Sequence, residues 1–165
     1  MTEAARFDPG AILRALRDAD VEFVVIGGIA GQAHGSPMIT RDLDICYQRG
    51  RANLERLAVV LRELSAIRRG QPDVTIPLDA RALLAGDVFT LTTRFGDLDL
   101  LGNPDPGMTF EMLRRNAVVV EQGGRRILVA GLDDLAAMKR AAGRPKDLLA
   151  LEHLGALREE LDRRP

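Results

Sequence analysis

One apolar segment, followed at once by two glycines, most constrains how this chain can fold. Residues 21–27 read VEFVVIG, a β-branched and apolar run that is typical of a buried strand. Gly27 and Gly28 open a run of small residues, which we expect to form a short helix that stops at Gly35-Ser36-Pro37. The next segment, DLDICYQ, alternates polar and apolar residues and therefore predicts a second strand with two unlike faces.

The rest of the chain mixes helices and strands. Pro72 and Pro77 exclude a long helix between the third predicted helix and the first hairpin. The other segments predict two hairpins, VFTLTTRFGDLDLLG and AVVVEQGGRRILVAG, and six helices, DPGAILRALRDAD, RANLERLAVVLRELSAI, LDARALLAG, TFEMLRRN, LDDLAAMKRAAG and PKDLLALEHLGALREEL.

This order of elements predicts an α+β fold. We expect a mixed, twisted β-sheet with helices mainly on one face, followed by C-terminal helices. The length of 165 residues favours a single domain over residues 1–165. Its core would cover about residues 20–130, and a helical segment would cover about residues 131–162.

Composition excludes several classes of protein. The chain carries 23 basic and 24 acidic side chains, so no overall positive field can drive nucleic-acid binding. The single cysteine, Cys46, cannot form an internal disulfide. No apolar run approaches the length of a membrane-spanning helix, and the N-terminus lacks a leader-like apolar stretch. We therefore expect a cytoplasmic protein with no membrane partner.

Two pairs of aspartates with D-x-D spacing are the first candidate for chemistry. Because alternate strand residues share a face, Asp42 and Asp44 should project side by side, as should Asp97 and Asp99. Adjacent carboxylates repel one another unless a cation lies between them, and Mg²⁺ is a natural partner. If the two strands are neighbours, the carboxylates converge into a metal site. The alternative is that each pair is solvated charge that blocks pairing at a sheet edge.

The glycine pair is the second candidate. Backbone N–H groups at a strand-to-helix turn can bind a phosphate, and glycine lets the anion approach closely. The sequence lacks the Lys-Ser/Thr of a Walker A loop, and its glycine spacing differs from the dinucleotide-binding fingerprint. A plain turn without a ligand is the alternative.

The glycine pair and the first aspartate pair together are a more specific signal than either pair alone. An apolar residue, Gly27-Gly28, 13 further residues and then Asp-x-Asp resemble the signature of the nucleotidyltransferase superfamily, which has the DNA polymerase β-like fold. The detail GGIAGQAHG followed by T-x-D-L-D-I, together with the tail LVAGLDDLAAMKRAAGRPKDLLALEHL, resembles the bacterial branch that includes AbiEii-type toxins. The resemblance covers about residues 20–157.

The resemblance implies a role for each matching residue. The glycine turn would hold a nucleoside triphosphate (NTP), and two Mg²⁺ (or Mn²⁺) ions would be bound by the first aspartate pair and by a third carboxylate, for which Asp99 matches better than Asp97. Met38 departs from the family pattern, which often has a basic residue at this position. By position, the candidates are Gly27, Gly28, Lys139 and Lys146 for the nucleotide, Asp42, Asp44 and Asp99 for metal and catalysis, and Asp147 beside Lys146.

Four other residues have weaker signals. His34 could contact a nucleotide, but a structural or capping role is the more common one for a lone histidine. Cys46 has no evident base and is expected to be a buried filler. Thr40 has the strand parity of the aspartates and could hydrogen-bond near the metal. Arg144 either solvates a helix end or meets RNA phosphates.

The resemblance therefore implies a metal-dependent transfer of a nucleoside monophosphate from an NTP to an acceptor hydroxyl. The acceptor stays open between a tRNA 3′ end, a protein hydroxyl and a small molecule. A toxin acting on tRNA, paired with a cognate antitoxin, is one form of this hypothesis. The alternative is a non-catalytic protein of the same fold that acts as a partner or as an antitoxin-like subunit.

Overall fold

A computed structural model describes residues 6–71 and 77–164 of the chain. Pro72, which we used above to exclude a long helix, lies outside these residues. The elements in the described part are α1 (Pro9–Asp18), β1 (Phe23–Ile26), α2 (Gly27–Ala33), β2 (Asp42–Tyr47), α3 (Arg51–Glu63), β3 (Ile67–Arg68), α4 (Ala80–Ala85), β4 (Val88–Thr93), β5 (Gly96–Leu101), α5 (Phe110–Asn116), β6 (Val118–Gln122), β7 (Arg125–Val129), α6 (Leu132–Ala142) and α7 (Pro145–Asp162).

The strands form one mixed sheet in the order β3-β4-β5-β2-β1-β7-β6. The central strand β2 pairs antiparallel with β1 and parallel with β5, and β1 pairs parallel with β7. The α+β class and the mixed sheet are confirmed. Both hairpins are confirmed as well, with Gly123 and Gly124 both at positive φ in the turn between β6 and β7. The single-domain division stays a prediction.

The prediction for α3 was too long. The helix ends at Glu63, and Ser65 adopts a positive φ of 54°, which reverses the chain. Ile67 and Arg68 then pair with β4 as a two-residue edge strand. The apolar period of α3 continues to Ile67, so the sequence does not mark this reversal, and a strand of two residues is too short to carry its own pattern.

Alternation along β5, and along β2 from Asp42 to Ile45, separates a buried face from a partly exposed one. Leu43, Ile45, Leu98 and Leu100 are completely buried, whereas the aspartates between them are partly exposed. Burying each leucine or isoleucine side chain contributes about 1.5–3 kcal/mol, so the apolar face fixes which way the aspartates point. The carboxylates are therefore held on one face by the packing of the other.

The two C-terminal helices pack onto this frame. Leu135 of α6 and Leu154 of α7 belong to the same buried cluster as the strands. Gly143 ends α6 in the left-handed conformation at φ 63°, and Pro145 begins α7 at a first helical position. None of the helices in the described residues is long and apolar enough to cross a membrane.

Candidate active site

The parallel pairing of β2 and β5 brings the two D-x-D sequences into register. Asp42 lies opposite Asp97, and Asp44 lies opposite Asp99. One carboxylate oxygen from each of Asp42, Asp44 and Asp99 lies within 4.8 Å of the others. The predicted convergence therefore occurs, with three aspartates in the cluster and Asp97 beside it.

The electrostatics of Asp44 show how much negative charge is concentrated there. Burial is the main cause that raises the pKa of Asp44, from 3.8 to about 7, and repulsion by Asp42 and Asp99 adds to it. Lys139 and Lys146 act in the opposite direction but do not cancel the rise. A carboxylate in this position gains from a nearby cation, since only a positive charge offsets both desolvation and repulsion.

The donor set fits a divalent cation. Three carboxylates offer the hard oxygen ligands that Mg²⁺ and Mn²⁺ take, and both ions complete their shells with water and phosphate oxygens. Thr40 supports the first of these ligands, because its Oγ1 donates a hydrogen bond to Asp42 Oδ1 at 2.8 Å. Asp42, Asp44 and Asp99 are therefore the residues that could hold a metal.

The glycine turn lies directly against this cluster. Gly27 has a φ of 67°, and a Cβ at this position would overlap the carboxylate of Asp44. A Cβ on Gly28 would lie 2.8 Å from the Cβ of Thr40. Only glycine fits at both positions, so backbone N–H groups and carboxylates approach one another more closely here than side chains would allow.

One cavity of about 530 Å³ joins these parts. This volume lies in the range of small-molecule sites in proteins. The candidates that line it are Gly27, Gly28, Thr40, Asp42, Asp44, Asp99, Lys139, Arg144 and Lys146, and Met38 lines it too. The carboxylates and the basic residues of α6 and α7 therefore face the same space.

Asp147 is buried behind the cavity wall, whereas Lys146, its neighbour in sequence, lines the cavity. Its side chain is completely buried, and it lies 3.4 Å from Lys139 Nζ. Arg144 donates to it from the backbone N–H at 3.0 Å and from Nε at 2.8 Å. Burial alone would raise the pKa of Asp147, but the hydrogen bonds of Arg144 and the charge of Lys139 outweigh it and hold that pKa below its usual value. Asp147 therefore anchors Lys139 and Arg144 on the cavity wall.

Neither His34 nor Cys46 lines this cavity. His34 closes α2, and its Nε2 lies 2.8 Å from Ala130 O, which can only accept, so the ring ties α2 to the end of β7. Cys46 is completely buried, and burial raises the pKa of its thiol to about 12. The structural role of His34 and the filler role of Cys46 stay predictions.

Arg69 is the residue of this site that sequence reasoning missed. One guanidinium NH2 donates to Asp99 Oδ1 at 2.7 Å, and Nε lies 3.1 Å from Asp97 Oδ2. Burial is the main cause that raises the pKa of Asp99, and the charge and hydrogen bond of Arg69 oppose it. Arg69 follows β3, which the sequence did not reveal, so nothing in the pattern placed this arginine beside the aspartates.

Similarity to known proteins is visible in three-dimensional structure only. No protein-family model matches the chain, and no curated protein matches its sequence. Among solved structures, the chain resembles TM1012 of Thermotoga maritima, assigned as a nucleotidyltransferase, with 18% identity, a TM-score of 0.53 and coverage of 99% of this chain and 100% of that one.

Two further solved structures resemble the chain as well. Lincosamide adenylyltransferase LnuA, solved with lincomycin bound, has 12% identity and a TM-score of 0.60, and the match covers 93% of this chain and 99% of LnuA. ANT(2″)-Ia, solved with adenylyl-2″-tobramycin, has 14% identity and a TM-score of 0.53, with 90% and 91% of the two chains covered. The chain therefore has the nucleotidyltransferase fold. The narrower resemblance to AbiEii-type toxins stays a prediction.

Substitution of Gly27 by alanine tests the close approach of the turn to the carboxylates. We expect Gly27→Ala to weaken binding of Mg²⁺-ATP at least about 10-fold, because the new Cβ both strains the backbone and displaces the Asp44 carboxylate. Gly124→Ala is the matched control, since Gly124 also has a positive φ but has open space around it. Isothermal titration calorimetry measures both. Binding by Gly27→Ala as tight as that of Gly124→Ala and the wild type would contradict the close approach of the turn to the carboxylates.

The raised pKa of Asp44 predicts a pH-dependent cost in the metal-free protein. The folded state holds this proton more tightly than the unfolded chain, so stability falls as pH rises from about 4 to about 7. At pH 8 with chelator, Asp44→Asn should raise the free energy of unfolding, with about 4 kcal/mol as the upper bound, and the gain should disappear near pH 4.

Urea unfolding at the two pH values measures this difference. Glu63→Gln, at the exposed end of α3, is the control and should change stability little at either pH. A stability of Asp44→Asn at or below that of the wild type at pH 8 would contradict the account. Saturating Mg²⁺ should stabilise the wild type at pH 8 more than the variant.

Proposed function

We propose that this protein is a metal-dependent nucleotidyltransferase that moves a nucleoside monophosphate from an NTP to an acceptor hydroxyl. The observation that carries the proposal is the convergence of Asp42, Asp44 and Asp99, whose oxygens lie within 4.8 Å of one another. They face the same cavity as the glycine turn and Lys139. The nucleotidyltransferase fold of the chain supports this reading, and a cytoplasmic location would supply NTP and Mg²⁺.

Each group in the cavity has a distinct task in such a reaction. Bound divalent cations would neutralise phosphate charge and lower the pKa of the acceptor hydroxyl. Asp42 and Asp44 would hold the cation nearest the triphosphate, and Asp99 would complete the site for a second cation beside the acceptor. The N–H groups of Gly27 and Gly28 would bind phosphate oxygens.

The chemical step of such a reaction would be an in-line displacement at the α-phosphorus. The acceptor oxygen would form the new P–O bond while the bond between the α-phosphorus and its bridging oxygen breaks, so that pyrophosphate leaves and the hydroxyl proton passes to solvent water. Lys139 lies on the cavity wall, where its ammonium would offset the charge on the departing pyrophosphate. Asp147 holds that ammonium in place, with its carboxylate 3.4 Å from Nζ.

A small hydroxyl compound is the acceptor class that we would test first. On the side of Asp99 the cavity wall is apolar, with Val88, Leu101 and Pro104, and it carries the acidic Asp105. Such a wall suits a compact acceptor better than a polyanion. LnuA was solved with lincomycin bound and ANT(2″)-Ia with a tobramycin adduct, which supports small acceptors within this fold.

A tRNA acceptor, as in a toxin with a cognate antitoxin, is the second candidate. Its supporting observation is the group of basic residues Lys139, Arg144 and Lys146 on one wall of the cavity. They would contact backbone phosphates, so transfer to RNA would weaken as salt rises. The non-catalytic alternative has less support. In a protein that binds no metal, nothing would offset the free-energy cost of burying the Asp44 carboxylate beside Asp42 and Asp99.

A transfer assay tests the proposal. The protein is incubated with Mg²⁺ and each α-labelled NTP, and separate reactions receive total tRNA, a panel of small hydroxyl compounds, or no acceptor. We expect label on one acceptor class, and we expect Asp99→Asn to lower the rate at least about 100-fold while NTP binding changes less than about 3-fold.

The control is Asp133→Asn, which removes an exposed carboxylate at the start of α6 and should act like the wild type. Asp42→Ala and Asp44→Ala should remove transfer altogether. If no arm shows transfer, including self-labelling of the protein, the enzyme reading fails and the non-catalytic alternative takes its place. Full activity of Asp99→Asn would overturn the assignment of the third carboxylate and point to Asp97.

A further inference from the structure

Arg69 contacts both the backbone of β4 and the carboxylate of Asp99. Its backbone N–H donates to Thr90 O at 2.9 Å, which extends the pairing of β3 with β4 by one residue. The same NH2 group that reaches Asp99 also donates to Leu91 O at 3.0 Å. The β4 backbone therefore holds both the main chain of Arg69, through Thr90 O, and its guanidinium, through Leu91 O.

The planar fork of arginine suits this position. NH2 donates a hydrogen bond to Asp99 Oδ1 at 2.7 Å, while Nε lies 3.1 Å from Asp97 Oδ2 as an ion-pair contact without hydrogen-bond geometry, so one guanidinium spans two carboxylates on the same strand face. A lysine ammonium is a single point charge on a flexible stem and cannot reproduce this geometry. Thr92 completes the arrangement by donating its hydroxyl to Asp97 Oδ1 at 2.9 Å.

Asp99 keeps the capacity to bind a cation while Arg69 holds it. A carboxylate has about four acceptor positions on two oxygens, and the arginine uses one of them on Oδ1. Asp99 comes from β5, whereas Asp42 and Asp44 share β2. Its orientation relative to the pair needs a separate restraint.

We propose that Arg69 is a positioning residue, which holds the Asp99 carboxylate toward Asp42 and Asp44 and thereby sets the second cation and the acceptor hydroxyl for attack. This inference rests on the proposed function. The alternative role for Arg69 is purely structural, in which it only stabilises the pairing of β3 with the sheet. The two roles differ in what a substitution changes: loss of a structural residue affects folding alone, whereas loss of a positioning residue affects the rate per folded molecule.

Three variants separate these roles. Arg69→Ala removes the fork, and Arg69→Lys keeps the charge without the fork. Arg68→Ala is the matched control, because Arg68 is the adjacent arginine of the same edge and its guanidinium packs over the Phe89 ring at 5.3 Å. Urea unfolding of each variant gives the folded fraction under assay conditions, and rates are expressed per folded molecule.

We expect Arg69→Ala to lower kcat about 10–100-fold, with a change below about 3-fold in KM for the NTP, which Asp42 and Asp44 still hold. Arg69→Lys should fall between it and the wild type. Added methylguanidinium should restore part of the activity of Arg69→Ala and none of any deficit in Arg68→Ala. Rates of Arg69→Ala equal to those of Arg68→Ala, or a loss explained by unfolding, would overturn the proposal.

A binding measurement keeps this inference separate from the proposed function. Mn²⁺ is titrated into the protein in the presence of a non-hydrolysable ATP analogue, and free Mn²⁺ is followed by electron paramagnetic resonance. Arg69→Ala should weaken the second Mn²⁺ site about 10–100-fold and leave the first within about 3-fold. If the wild type transfers no label, the proposed function fails, and this titration alone decides on Arg69, with unchanged binding in Arg69→Ala as the contrary result.

Discussion

The repulsion among the carboxylates on β2 and β5 is the constraint on which the rest of the site depends. Parallel pairing places Asp44 opposite Asp99, and the buried leucines between them leave the aspartates no other face to occupy. The pKa of Asp44, about 7 because of burial and of this repulsion, shows the cost. Lys139 and Lys146 offset part of that cost, and a divalent cation would offset it most.

Two separate ion-pair networks hold the groups on either side of these carboxylates. On the sheet edge, Arg69 spans Asp97 and Asp99. On the helical side, the buried Asp147 holds Lys139 and Arg144. The two networks use no residue in common, so the side of the cavity near Asp99 and the side near Lys139 are positioned by different parts of the chain.

The sequence predicts the parts of this molecule that depend on local periodicity. Alternation places Asp42 and Asp44 on one face, and the Gly123-Gly124 turn marks its hairpin, because both signals lie within a few neighbouring residues. The short strand before Arg69 and the burial of Asp147 depend on contacts with distant residues, 30 positions away in the case of Arg69 and Asp99. No local pattern encodes such contacts. The adjacency of β2 and β5 was a condition of the metal-site hypothesis, and the structure meets it.

The central claim is that the aspartate cluster and the glycine turn form one site for a metal-bound triphosphate. Crystals grown with Mn²⁺ and a non-hydrolysable ATP analogue, with anomalous diffraction recorded for manganese, test it most directly. The account predicts manganese peaks about 2.0–2.3 Å from carboxylate oxygens of Asp42, Asp44 and Asp99, with the phosphates on the N–H groups of Gly27 and Gly28. Nucleotide or manganese bound elsewhere, with these carboxylates unliganded, would contradict it.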